Sequence, residues 1–107
     1  MRHLDSFAEA TGGMMDVKVV RNEQASRFEA VVDGALSVLD YRLRDGVLAI
    51  DHVIVPDAVS GRGIAGALTK AALDLARHEH WRVIPNCAYA AAYIERYPDY
   101  RDLVSRA

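Results

Sequence analysis

The residues best suited to chemistry lie in the second half of the chain. In the run Ser60-Gly61-Arg62-Gly63-Ile64-Ala65-Gly66, three glycines bare the backbone so that its N–H groups could close on a phosphate. Arg62 could add positive charge there. Further along, Cys87 offers sulfur, Tyr93 a phenolic proton, and His52, earlier in the chain, an imidazole base. Gly61, Gly63 and Gly66 also match G-x-G-x-x-G, which invites a dinucleotide-binding reading. That reading fails on spacing: Pro56 to Ser60 separate the loop from its strand, and the next strand, Val83-Ile84-Pro85-Asn86, ends without a ribose-binding acid. The Lys-Ser/Thr pair of a P-loop is missing as well.

The elements that must position these groups follow from periodicity. Residues 16–57 alternate with period two, giving strands at Val17–Val20, near Phe28–Val32, from Ala35 to about Arg44, and over Val47–Val55. Asp33-Gly34 and Asp45-Gly46 are hairpin turns. The Val47–Val55 strand is nearly all apolar, so it should lie centrally, covered on both faces, with Asp51 and His52 pointing to opposite sides. After Pro56 the period changes. Ile64, Leu68, Ala71, Ala72 and Leu75 predict a long helix from Gly61 to about Glu79. A short strand at Arg82–Ile84 follows, then a helix over Cys87–Tyr97 with Asn86 as its N-cap and Pro98 as its stop. The fold class is therefore α/β: an antiparallel meander of about four strands, then strand–helix–strand–helix. A right-handed crossover makes the later strands parallel and brings both helix starts to one sheet edge, where an anion is the natural guest.

Composition sets the outer limits. The chain has 107 residues, 51 % apolar and 26 % charged, which suits one ordinary core: residues 16–107 as a single domain behind a flexible leader at 1–15. A net charge of −2 argues against a general nucleic-acid or membrane-surface binder. One cysteine excludes an internal disulfide and a cysteine-based zinc site, and His78 and His80 suit the end of a helix better than a metal. The longest apolar run, Cys87–Ile94, is too short to span a membrane, and the Met1-Arg2-His3-Leu4-Asp5 start has no signal-peptide pattern, so a cytoplasmic location is expected.

Val55-Pro56 followed by Gly61-Arg62-Gly63-Ile64-Ala65 at a helix start resembles the acyl-CoA loop of the GNAT acyltransferase superfamily, and Asn86 with Tyr93 seven residues later resembles its second signature. The ordered series His52, Pro56, Gly61-x-Gly63-Ile64-Ala65, Pro85, Cys87, Tyr93-Ile94 and Pro98-x-Tyr100 is similar to the small stand-alone GNAT-like acetyltransferase domains. The resemblance implies acetyl-CoA as cosubstrate and an amine acceptor, either a small molecule or a peptide. It implies phosphate binding by Gly61, Arg62, Gly63, Ile64, Ala65 and Gly66, and pairing of the pantetheine with the backbone of Val53, Ile54 and Val55. Asn86 belongs to the same cofactor-binding set. Tyr93 would protonate the departing sulfur, Cys87 would relay the acetyl group or line its pocket, and His52 would act as base or serve as a hydrogen-bonded core residue. Ser60 departs from the pattern, which has Arg or Gln there. Tyr89, Tyr93, Tyr97 and Tyr100 recur at about helical spacing, as a packing stripe or a substrate wall. Two other functions fit the same residues: a CoA-binding module without turnover, and a tyrosine-rich protein-interaction domain.

Overall fold

Two tight turns fix the register of the first half. Asp33 and Gly34 have φ of 51° and 78°, Asp45 and Gly46 of 53° and 76°. Positive φ at both central residues gives the mirror-image turn whose twist matches that of paired strands. In the computed structural model, which describes residues 17–105, these turns join β2 (Arg27–Val32) to β3 (Ala35–Arg44) and β3 to β4 (Val47–Ile54). With β1 (Val20–Asn22) and β5 (Arg82–Pro85) they form one sheet in sequence order. Its first four strands are antiparallel, and β5 runs parallel to β4. The leader expected over residues 1–15 lies outside the described residues. The first strand was expected at Val17–Val20; its ladder starts only at Val20. Val17 and Val19 are buried ahead of that ladder, so alternation placed the strand too early.

β4 departs from the expected central strand. Its Leu48, Ala49 and Ile50 are buried, but beyond them burial alternates, and Ile54 is 54 % exposed. The cause is a bulge. Pairing with β3 passes from Tyr41↔Ile50 to Asp40↔His52, so Asp51 is an extra residue with no partner. The bulge overturns the expectation that Asp51 and His52 face opposite ways. Asp51 reaches Arg42, two residues from the Asp40 that His52 opposes, so both lie on one face.

The first helix, α1 (Ile64–Glu79), starts three residues later than periodicity predicts. Gly61 and Gly63 have φ of 80° and 82°, in the left-handed region, and cannot belong to a right-handed helix. Its apolar stripe, Ile64, Leu68, Ala71, Ala72 and Leu75, is buried against Phe28, Leu39, Leu48, Ile50 and Val83 of the sheet. The second helix, α2 (Ala88–Arg96), follows β5, and a 3₁₀ segment at Pro98–Leu103 leads to Val104, which bridges Val83 in parallel. Both crossovers step the same way across the sheet, from β4 to β5 to Val104, so right-handedness puts both helices on one face. The other face carries Val31, Leu36, Asp40, Arg42, His52 and Ile54, with no helix of the described residues over them. No helix of the described residues is long and apolar enough to cross a membrane.

Candidate functional site

The site begins where β4 and β5 part. Their pairing ends at Ile50↔Pro85, whereas β4 continues to Ile54. Beyond Pro85 the backbone N–H groups of Asn86 and Cys87 both donate to the Ile50 carbonyl, at 3.0 and 3.1 Å, which turns the chain away from β4. The Asn86 side chain then donates to Asp51 at 3.1 Å. Asn86 was expected to cap α2; its amide is spent on β4, and Cys87 takes the N-cap position without a side-chain bond. On the side turned toward β5, the backbone of Asp51–Ile54 is left without a strand partner, and its polar groups are available to an extended ligand.

Beside this gap lies the glycine loop. Gly63 is the N-cap of α1, and the first intrahelical bond runs from the Ala67 N–H to its carbonyl. The N–H groups of Ile64, Ala65 and Gly66 therefore have no acceptor in the helix, and glycine has no side chain to supply one. Gly61, Arg62 and Gly63 are exposed around them. Together they make a concave set of donors at the positive end of a helix dipole. Ser60, in the position where the resembling pattern has a long side chain, turns its Oγ back to the Asp57 carbonyl at 3.1 Å. Arg62 borders the loop, and its guanidinium pairs with Asp33 of the β2–β3 turn.

From the loop a groove of about 1170 Å³ runs between α1 and α2. One wall is a polar stripe of α1: Gly63, Gly66, Lys70, Asp74 and Arg77, spaced three or four apart. The other is tyrosine. Tyr93 lies at the centre, its ring 4.6 Å from that of Tyr97, 6.2 Å from Tyr100 and 6.3 Å from Tyr89. Tyr89 reaches across to the first turn of α1, where a β-carbon on Gly66 would stand 3.4 Å from its hydroxyl. Tyr100 donates to Asp74 at 2.7 Å, and Lys70 pairs with the same carboxylate at 2.7 Å. Burial, then the neighbouring Tyr97 and Asp74, pushes the Tyr93 phenol up to about 12. Burial and the Asp74 bond raise Tyr100 further still. Tyr93 thus carries its proton throughout the physiological range.

The predicted residues fall into three places. Gly61, Arg62, Gly63, Gly66 and Tyr93 share the groove, whereas the Ile64 side chain is buried in the core and Ala65 is half-buried outside the lining, so these two could offer only backbone N–H groups. Val53, Val55 and Cys87 are half-buried at the parting of the strands and pack on the core. His52 and Ile54 are exposed on the helix-free face, so His52 is a surface residue, not the buried one that is its alternative, and it stands across the sheet from Tyr93. Sequence reasoning missed Lys70, Asp74 and Arg77, although their three-to-four spacing from Gly66 marks a second face of α1. It also missed the partnership of Asp51 with Asn86, for which spacing along the chain gives no signal.

A parallel strand pair that parts beside a glycine-rich helix start defines this class of protein, and comparison places it. The chain belongs to the GCN5-related N-acetyltransferase family, whose profile, described as GCN5-related N-acetyl-transferase, matches residues 27–103. It is 31 % identical to Protein NATD1 of Mus musculus over 86 residues, 77 % of each chain. With Protein NATD1 of Homo sapiens it shares 33 % over 78 residues, 73 % of this chain and 68 % of that one. A GCN5-like protein from Staphylococcus aureus, solved by NMR, superimposes with a TM-score of 0.65 at 28 % identity, covering 86 % of this chain and 91 % of that one.

Proposed function

We propose that the protein binds acetyl-CoA and transfers its acetyl group to an amine of a small molecule or peptide. The observation that carries this reading is the pair of features on either side of the β4–α1 connection: a strand edge that β5 leaves unpaired beyond Ile50, and a glycine loop that opens α1 and borders the groove. One ligand could then lay an extended amide-bearing arm along Asp51–Ile54 and a pyrophosphate on the N–H groups of residues 61–66. Family membership supports the same chemistry. Asn86 holds the gap open through Asp51. A strand N–H near Ile54 or Val55 polarises the thioester carbonyl, the neutral amine forms the new C–N bond, and the C–S bond breaks. Tyr93 then gives its proton to the sulfur, and the amine proton goes to solvent or to a base. His52, exposed on the helix-free face, is the candidate for that base, which places the acceptor on the side away from the helices.

Calorimetry with acetyl-CoA, followed by thiol release with a panel of amines, tests both halves. Binding with release supports transfer. Binding without release assigns a CoA-holding module, a reading favoured by Ser60, whose short side chain bonds back to the Asp57 carbonyl where a long one would reach the phosphates. Unchanged affinity in Gly63→Glu, which puts a negative charge into the loop, removes the loop from the site.

A further inference from the structure

The acids on the helix-free face of the sheet differ in how they are held. Glu29 accepts from Arg27 and Asn22, and Asp51 from Arg42 and Asn86. Asp40 is half-buried, yet it has no hydrogen bond or ion pair among the described residues. Across one ladder it opposes Arg27, whose Nε is turned to Glu29 at 2.7 Å; across the other it opposes His52. Beyond Asp40 the same face becomes apolar. Val38 opposes Ile54 and Leu36 opposes Val31, and Ile54, Leu36 and Val31 are 54 %, 44 % and 67 % exposed. A carboxylate without a counter-ion thus stands at the end of an apolar shelf, and Ile54 joins that shelf to the strand edge where the thioester is placed.

We infer that this shelf seats the acceptor, and that Asp40 selects one carrying a second positive charge: an aliphatic α,ω-diamine, with one amine reacting and the other held as an ammonium on the carboxylate. This rests on the acetyl-transfer reading above and deepens it by naming the acceptor class. Asp40 and Ile54 are diagonal neighbours across the β3–β4 ladder, roughly 7–8 Å apart, about the span of a four- or five-carbon chain. Its methylenes pack on Val38 and Ile54. The neutral amine at the near end forms the C–N bond as the C–S bond breaks; its proton passes to His52, the sulfur takes one from Tyr93, and the far ammonium keeps its own. One unpaired carboxylate matches one extra cation. A strongly basic peptide would bring several to a face whose other acids are already engaged. A monoamine would set a methyl group against Asp40.

The test measures thiol release from acetyl-CoA by the full chain with 1,4-diaminobutane, 1,5-diaminopentane, n-pentylamine and a lysine-rich peptide. The better diamine should exceed the monoamine about fivefold in kcat/KM, as one half-buried ion pair supplies. In Asp40→Asn that preference should shrink toward unity, through KM and not kcat, because the lost contact lies away from the reacting carbon. Asp40→Lys should turn it into a preference for the monoamine. Asp40 has no side-chain bond to lose among the described residues, so Asp40→Asn keeps the fold. Equal use of diamine and monoamine by the wild type, a preference that survives Asp40→Asn, or faster use of the peptide overturns the inference and leaves acetyl transfer standing. So does release with other amines of the wider panel but with neither diamine. No release with any amine overturns both.

Discussion

The side-chain amide of Asn86 donates to Asp51 Oδ1 at 3.1 Å, joining the first residue beyond β5 to the one residue of β4 that has no strand partner. The same carboxylate takes two bonds from Arg42, at 2.7 and 3.0 Å. The bulge and the parting of the strands are therefore one device. An extra residue turns a carboxylate outward, and that carboxylate holds the chain that would otherwise keep pairing with β4.

That device sets a pH dependence. The Arg42 guanidinium, with help from Asn86, holds the Asp51 carboxyl down to about 2. Its folded value lies below its unfolded one, so its contribution is fully present above about pH 4–5 and is lost as the pH falls toward 2. Arg42 is largely exposed, so screening limits the contribution to about 1 kcal/mol. Asp51→Asn is expected to unfold more easily in urea at pH 7 by about that amount, with the gap closing between pH 4 and pH 2. A difference that persists unchanged at the acid end would show that the carboxylate's charge is not what matters.

Much of the scaffold was legible, and the reasons separate cleanly. Asp33-Gly34 and Asp45-Gly46 dictate two-residue hairpins because their backbone demands are local. The Ile64–Leu75 stripe dictates a helix because its period is local too. The bulge at Asp51 was not legible. It arises from register against β3, and nothing in Ile50-Asp51-His52 distinguishes a bulged strand from a regular one. Asn86 shows the same limit: beside a helix start, an asparagine is read as a cap, and only the folded chain brings Asp51, 35 residues away, within reach. The groove was half legible. Its glycines stand out, whereas Lys70, Asp74 and Arg77 look like a solvated helix face until α2 packs beside them.

Tyr93 sits centrally in the tyrosine wall with a phenol raised to about 12, so it stays protonated up to about pH 10. Removing its hydroxyl in Tyr93→Phe keeps the ring contacts with Tyr97 and Tyr100 and should leave acetyl-CoA affinity unchanged. The transfer rate should fall about 10²-fold, the lower end of what a positioned general acid provides. Because Tyr93 acts while protonated, the wild-type rate should show no alkaline loss from this group below pH 10. A Tyr93→Phe enzyme with wild-type kcat would assign the phenol to packing alone.

Two glycine-to-alanine changes should move stability in opposite directions. Gly63 adopts φ 82° in open space, so a methyl group meets no neighbour but the backbone is strained, at a cost of about 1–2 kcal/mol. Gly66 lies inside α1, and its methyl group would rest 3.4 Å from the Tyr89 hydroxyl and 3.7 Å from the Tyr93 ring, in ordinary contact. Gly66→Ala should therefore gain about 0.5–1 kcal/mol from helix propensity while narrowing the mouth of the groove. Thermal melts read the first effect and acetyl-CoA titration the second. A Gly66→Ala protein that is more stable and binds as tightly as wild type would place the ligand elsewhere.

Arg62 tests whether an ion pair helps or competes. Its guanidinium holds Asp33 at the tip of the β2–β3 hairpin, with the side chains 39 % and 64 % exposed. Such a pair contributes little to folding, so Asp33→Asn should change stability by no more than ~0.5 kcal/mol. Asparagine accepts the left-handed conformation of position 33 and suits a turn before Gly34, so the hairpin is kept. The consequence lies in the loop. Freed from the carboxylate, Arg62 can turn wholly to a diphosphate on residues 61–66, and the nearest negative charge is gone. Acetyl-CoA should then bind about two- to fivefold tighter in low salt, with the gain fading above about 0.5 M as screening shortens the reach of both charges. Weaker binding in Asp33→Asn would mean the reverse: the carboxylate aims the guanidinium at the loop, and Asp33 serves the site as a positioning residue.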